Sequence, residues 1–273
     1  MLGAIIGDIV GSPYEFDQGD KTTVFPFFHA DGDFTDDTVM TIAVARALMD
    51  AAGDEAAAPA LLVARMQEFY RAYPHPKGSY GGRFLQWLTS PKPEPYNSWG
   101  NGSAMRVSSV GWLFTTPEDV LRWAAISAEV THNHPEGIKG AQAVALAIYR
   151  ARHWQRTPEG IAAGKDALYD EITTRFGYNL SRSVDEIRPH YRHVESCQET
   201  VPEALTCFIE SQDFESALRL GVSIGGDTDT VGAIIGGIAE AAYGIPAEIR
   251  AGGLAYLPPD FLAVLKDFWA HGH

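Results

Sequence analysis

The chain's 273 residues suffice for one large domain or two small ones, and its 45% apolar content is ordinary for a globular protein with a sizeable core, which argues against disorder. A net charge of −14 and an isoelectric point near 5.0, with no run of Lys or Arg, argue against a general nucleic-acid or acidic-membrane surface. Two cysteines, Cys197 and Cys207, imply no disulfide framework and read as small buried hydrophobes in a reducing cytoplasm.

Residues 1 to 11 are apolar but lack a basic leader and carry Asp8 mid-run, so they read as a buried helix, with Gly3, Gly7 and Gly11 four apart on one side. Ser12 and Pro13 turn the chain and present Tyr14 and Glu15; a polar loop follows, then Val24 to Phe28, read as a strand or an extended cover. Thr35 is a suitable N-cap for a helix reaching about Asp50. A link from Ala51 to Pro59 precedes a helix over about 60–73, marked by Leu62, Met66, Phe69 and Tyr73. The Gly-, Pro- and aromatic-rich stretch from Pro74 to Ser103 reads as a long loop suited to walling a ligand site. Gly100 to Arg106 then leads into a helix through Val110 and Leu113.

Thr116-Pro117-Glu118 starts a helix towards Val130, and Thr131-His132-Asn133-His134-Pro135 starts another towards Trp154. Further starts are read at Thr157-Pro158-Glu159, at Ser183 with Glu186 as a capping box, and at Val201-Pro202-Glu203, with one more helix over 213–223. The last helices span 228–243 and about 259–270, with Pro246 to Gly252 as a link. The expected fold is therefore all-α, one compact domain over residues 1–273. The apolar run from Val231 to Ala239 is far shorter than the roughly 20 residues of a membrane span, so a soluble cytoplasmic protein is expected. Gly232, Gly236 and Gly244 echo Gly3, Gly7 and Gly11, so two glycine-lined helices could pack at the centre and bring Glu15 towards residues 227–230.

Two acidic stretches each open an apolar helix: Thr35-Asp36-Asp37-Thr38 and Gly225-Gly226-Asp227-Thr228-Asp229-Thr230. Taken singly, each is a capped helix start with acids that favour the helix dipole. Taken together, Asp36, Asp37, Asp227 and Asp229 would converge, and a like-charged pair about 4 Å apart costs about 4 kcal/mol even at an effective dielectric near 20. Such carboxylates need cations or protons, and hard oxygen ligands suit Mg²⁺, Mn²⁺ or Ca²⁺ rather than zinc. A binuclear hard-metal site is the better reading. Gly100-Asn101-Gly102 is an ordinary turn or a loop presenting N–H groups to phosphate. His132 and His134 are capping histidines or contacts to a phosphate or hydroxyl.

The ordered set GAIIGDIVGSPYE (Gly3 to Glu15), FTDDT (Phe34 to Thr38), GNGSAMR (Gly100 to Arg106), THNHP (Thr131 to Pro135) and GGDTDT (Gly225 to Thr230) resembles the ADP-ribosylglycohydrolases across nearly the whole chain. This is the all-helical family of dinitrogenase reductase activating glycohydrolase and the eukaryotic ADP-ribosylhydrolases. The resemblance implies an orthogonal helix bundle around a central binuclear site, with Thr35, Asp36, Asp37, Asp227, Asp229 and Thr230 as ligands of two Mg²⁺ or Mn²⁺ ions. It implies Glu15 as acid/base or water-positioning residue, with Asp36 and Asp229 also in the catalytic set. Gly100, Asn101, Gly102, Ser103, Met105, His132 and His134 would cradle the diphosphate and distal ribose, and an aromatic of the long loop would stack on adenine. Ser103 stands where many relatives carry Ala or Gly.

The implied reaction is attack of water at C1″ of ADP-ribose, the metals orienting the ribose hydroxyls and Glu15 moving a proton, on an ADP-ribosylated protein or small molecule. Two rivals are a non-catalytic ADP-ribose- or metal-binding relative, against which the intact acids speak, and a Mg²⁺-dependent phosphohydrolase, for which no Lys/Arg cluster is present. A purely structural helical protein is the third.

Overall fold

The computed structural model describes residues 1–271, and among them it forms fifteen helices and no strand. The last two residues of the expected 1–273 domain lie outside the described residues. At the centre, α1 (Leu2–Gly11) runs antiparallel to α13 (Thr228–Tyr243), and every residue of α1 is buried. Small residues make this approach possible. A Cβ on Gly3, Gly7 or Gly11 would stand 2.2, 1.9 and 2.1 Å from the carbonyl oxygens of Gly236, Gly232 and Thr228, distances at which backbone itself would have to move. At the far end of the seam Glu240 accepts the Gly3 N–H at 2.8 Å. The glycine echo thus forms the central contact, with one change. Gly244 is not in it: it follows α13 at φ +77°, its N–H closing on the Glu240 carbonyl, and Thr228 meets Gly11 instead.

Besides α1, the helices that pack on α13 include α2 (Asp36–Ala51), the single turn α5 (Gly102–Met105), α8 (Pro135–Ala151), α11 (Cys197–Glu210) and α12 (Phe214–Ser223). Outside them, α3 (Ala58–Ala72) and α15 (Pro259–Ala270) cover α2, while α7 (Pro117–Glu129) and α9 (Pro158–Phe176) cover α8. Starts read from caps stand where expected. Thr116 and Thr157 accept N–H bonds from Asp119 and Gly160, and Ser183 and Glu186 form a reciprocal box opening α10 (Val184–Ile187).

Several expectations are corrected. The long stretch 74–103 contains α4 (Gly82–Thr89), which buries Phe84, Trp87 and Leu88; it is too short for its spacing to stand out among glycines and prolines. The expected link 246–252 is α14 (Ala247–Leu254), begun by Pro246. Pro202 does not start a helix but lies inside α11, which begins at Cys197. The helix expected from Thr131 begins at Pro135 and ends at Ala151, with His134 as its N-cap. The Gly100 run gives two single turns, α5 (Gly102–Met105) and α6 (Val110–Leu113). Val24 to Phe28 is an extended cover, where Phe25 meets Tyr14 with centroids 5.0 Å apart and Arg219 lies over the Phe25 ring at 5.0 Å. No helix among the described residues is long and apolar enough to cross a membrane.

Candidate active site

The antiparallel seam sets the site, because it brings the C-terminus of α1 to the N-terminus of α13; the Thr228 hydroxyl donates to the Gly11 carbonyl at 2.8 Å. Asp8, in the middle of α1, then reaches the start of α2. Its Oδ2 accepts the Thr35 N–H at 2.9 Å, the Thr38 N–H at 3.0 Å and the Thr38 hydroxyl at 2.5 Å. Thr35 itself caps α2, its Oγ1 accepting the Asp37 N–H at 3.1 Å. Asp8 was absent from the expected site. The signal for it was present: one carboxylate amid nine uncharged residues of a wholly buried helix needs strong partners.

The second acidic turn is shaped by Gly225 and Gly226, at φ +77° and +81°. Asp17 braces it, one carboxylate oxygen accepting the Gly226 N–H at 2.9 Å and the other the His193 N–H at 3.1 Å. Phe16 and Asp17 themselves adopt φ of +60° and +58°, a strained pair held by these bonds. Asp227 Oδ2 accepts the Asn101 side-chain N–H at 2.6 Å, Asp229 Oδ1 accepts the Thr230 N–H at 2.9 Å, and the Thr230 hydroxyl donates to Asp37 Oδ2 at 3.3 Å. The two turns therefore meet.

Above them opens a cleft of about 350 Å³, onto which Glu15, Asp36, Asp37, Asp227, Asp229 and Thr230 face. Carboxylate oxygens of Glu15, Asp227 and Asp229 lie within 4.8 Å of one another. Burial, then the charges of Asp229, Asp36, Asp8 and Glu195, pushes the Glu15 carboxyl up to about 9. Burial and the charge of Asp229 push Asp8 up to about 7. Asp36, Asp37, Asp227 and Asp229 are likewise raised, burial first in each case. Asp8 Oδ1 and Asp37 Oδ1 have no hydrogen-bond partner among the described residues. All-oxygen donors, mutual repulsion and unpartnered buried lone pairs fit one or more hard divalent cations. Thr35 differs from the other expected ligands, being wholly buried as the cap and not on the cleft surface.

One wall is the Gly100–Gly102 loop, pinned by the Asn101 N–H to the Glu195 carbonyl at 2.8 Å and by the Cys197 N–H to the Trp99 carbonyl at 2.9 Å. Met105 and His132 also line the cleft. Ser103 and His134 do not. The Ser103 hydroxyl turns away to the Gly137 carbonyl at 2.7 Å, and His134 Nδ1 accepts the Glu136 N–H at 3.1 Å. The cleft is also lined by aromatics of the 74–103 stretch, Tyr80, Phe84 and Tyr96, with Tyr96 beside His132 (centroids 5.9 Å) and Arg83 over the Tyr96 ring at 4.9 Å. Glu195 and Phe16 at the rim had no distinguishing sequence signal.

Fold and cleft define an all-α protein with a carboxylate cluster under a glycine-walled pocket. Residues 1–270 match the family model described as ADP-ribosylglycohydrolase, and the chain belongs to this family of glycosidic-bond hydrolases. It is 27% identical to human ADP-ribosylhydrolase ARH3, the match covering 96% of this chain and 90% of that one. It is 26% identical to the ADP-ribosylarginine hydrolase Tri1 of Pseudomonas putida (90% and 70% covered) and 26% identical to the ADP-ribosyl-dinitrogen-reductase glycohydrolase of Rhodospirillum rubrum (94% and 88% covered). Among solved structures, an ADP-ribosylglycohydrolase-related protein complex superposes with a TM-score of 0.66 at 23% identity, covering 97% of this chain and 96% of the other, a likeness of fold.

Proposed function

We propose that this protein hydrolyses the glycosidic bond at C1″ of ADP-ribose, releasing ADP-ribose from a modified protein side chain or small molecule, and that it requires Mg²⁺ or Mn²⁺. The observation that carries this reading is the meeting of Glu15, Asp227 and Asp229 within 4.8 Å beneath a loop of glycines. The names of the relatives, which act on ADP-ribosylated arginine or ADP-ribosylated dinitrogen reductase, support the substrate class.

Two divalent ions held by Asp36, Asp37, Asp227, Asp229, Thr230 and Thr35 would offset the carboxylate charge and supply a fixed positive field for oxygens of the sugar. The chain's own residues then have distinct tasks. Glu15, at the cleft side of the cluster, would be ionised once bound cations offset its acidic neighbours; it takes a proton from water as the water attacks the oxocarbenium-like C1″ and the bond to the leaving group breaks, and that proton goes on to the departing group. Asn101 holds Asp227 in one orientation. Backbone N–H groups around Gly100 to Gly102 receive the diphosphate, His132 a neighbouring oxygen, and Tyr96 or Phe84 the adenine face. The two cysteines, both free and buried, accord with a reducing cytoplasm.

The test is a panel of arginine-, serine- and O-acetyl-linked ADP-ribose substrates with product analysis by mass spectrometry, with and without Mg²⁺. Free ADP-ribose should appear from at least one, and fall by at least about 100-fold in Glu15→Gln and Asp229→Asn. Full turnover by either variant would overturn the assignment.

A further inference from the structure

We infer that Arg106 and Thr131 form a positioning pair that holds His132 as a neutral imidazole with its proton on Nε2, so that the cleft wall presents an N–H donor to the ligand. What that donor meets rests on the function proposed above; the tautomer follows from the chain alone.

Arg106 is 1% exposed, and its Nη2 donates to the Thr131 hydroxyl at 2.7 Å. A guanidinium has no acceptor, so the Thr131 oxygen must accept. Thr131 then has one proton to give and two acceptors within reach: His132 Nδ1 at 2.6 Å and the Ala128 carbonyl at 3.4 Å. The shorter bond takes it, because a hydroxyl bond of 3.4 Å lies beyond the normal range. Nδ1 is therefore an acceptor and carries no proton. Placing the proton on Nδ1 instead would oblige the Thr131 oxygen to accept twice and leave its own hydrogen on the long contact.

Burial, with the charges of Arg106 and Arg83, lowers the His132 pKa well below that of a free histidine, so the ring is neutral and its one proton lies on Nε2. That edge faces the glycine loop: a Cβ on Gly102 or Gly100 would sit 3.2 or 3.4 Å from Nε2. No hydrogen bond among the described residues occupies it, and side chains at 100 or 102 would screen it. Arg106 borders the cleft but is 1% exposed, and its hydrogen bond among the described residues runs to Thr131 rather than into the open space. Its Nε and Nη1 are buried without a hydrogen-bond partner among the described residues, and its Cζ lies 5.4 Å from the Phe84 ring centroid. Arg106 therefore acts through Thr131, and the ligand group opposite Nε2–H is an acceptor oxygen, of phosphate or ribose.

Ring ¹⁵N spectra of the histidine-labelled full chain read the tautomer without ligand. The wild type should show the Nε2–H pattern for His132, assigned by its loss in His132→Gln. Thr131→Val, nearly isosteric, should mix or reverse the tautomer and weaken ADP-ribose binding about tenfold, or 1.4 kcal/mol, with Mg²⁺ affinity unchanged and the thermal midpoint lowered because the buried Arg106 Nη2 loses its acceptor. Thr131→Ser should restore both readouts. Arg106→Met should also disturb the tautomer, and if it fails to fold the Thr131 variants decide. An Nδ1–H pattern in the wild type, or an Nε2–H pattern surviving in Thr131→Val, overturns the pair. The expected tautomer with no ADP-ribose binding by the wild type supports the pair and overturns the proposed function.

Discussion

Asn101 and Asp227, 126 positions apart in the chain, are joined by an amide-to-carboxylate hydrogen bond of 2.6 Å, while the same amide nitrogen also donates to the Thr200 hydroxyl at 3.1 Å. The asparagine of the glycine loop is thus turned inward, and its side chain serves the carboxylate cluster. Asn101→Ala should lower Mg²⁺ affinity and turnover by about 10- to 100-fold, as loss of a residue supporting a ligand does. The check is a Mg²⁺ titration of activity together with calorimetric binding. Equal loss without any change in Mg²⁺ dependence would point to the loop backbone instead.

Repulsion within the cluster predicts an inverted response to pH. Carboxyls raised in the fold hold protons that the unfolded chain releases near pH 4, so their contribution is complete below that pH and is lost as pH rises through the folded values, about 7 for Asp8 and about 9 for Glu15. Each group so raised adds a slope of up to about 1.4 kcal/mol per pH unit across its window. The EDTA-treated protein should therefore lose stability to urea steadily from pH 5 to pH 9. Saturating Mg²⁺ should flatten the profile, and its binding at pH 7 should release protons, measurable as a buffer-dependent heat.

Asp8→Asn separates Asp8's structural task from its charge. The amide oxygen can still accept from Thr35 and Thr38, while one buried charge disappears. In urea denaturation at pH 8, the metal-free variant should be as stable as or stabler than the wild type. Its Mg²⁺ affinity should fall. Asp8→Ala, which strands the Thr35 and Thr38 donors, should instead lose about 1–3 kcal/mol at any pH.

Gly7→Ala places a methyl group where a Cβ would stand 1.9 Å from the Gly232 carbonyl oxygen. Since backbone lies on both sides, the helices must separate, and the expected loss is about 3 kcal/mol or more, at or above the upper end of ordinary overpacking. Activity should fall further than stability, as Glu15 is carried away from Asp229. Gly82→Ala, with nothing within 4 Å of the added carbon and no positive φ, is the control and should be neutral in thermal denaturation.

Much of the helical scaffold could be read from caps and spacing because Thr116, Thr157 and Ser183 act locally, each accepting from an N–H three residues on. Two failures have local causes as well: α4 is eight residues of mixed Gly and aromatics, and Pro202 is tolerated within α11. The two acidic turns were legible as a pair, and the α1 glycines hinted at what joins them. Asp8 stands out in the sequence only as a lone carboxylate in an apolar run; its partners Thr35 and Thr38 lie 27 and 30 positions away, and the packed seam shows what that carboxylate does. The turn of Asn101 towards Asp227, the turn of Ser103 away from the cleft to the Gly137 carbonyl and the capping role of His134 depend on rotamers, which residue type alone does not choose.

The seam between α1 and α13 also dictates when the site can come into being. Its two halves leave the ribosome well apart, with about 190 residues made between Asp37 and Asp229; at 5–20 residues per second that interval is on the order of 10–40 s. Until α13 arrives, α1 has no partner for its bare glycine face, and Asp8, Asp36 and Asp37 remain hydrated rather than crowded. Catalytic competence therefore waits for α13, and a prematurely terminated product lacking residues after about 225 would carry Asp8, Glu15, Asp36 and Asp37 without Asp227 and Asp229, and no active centre.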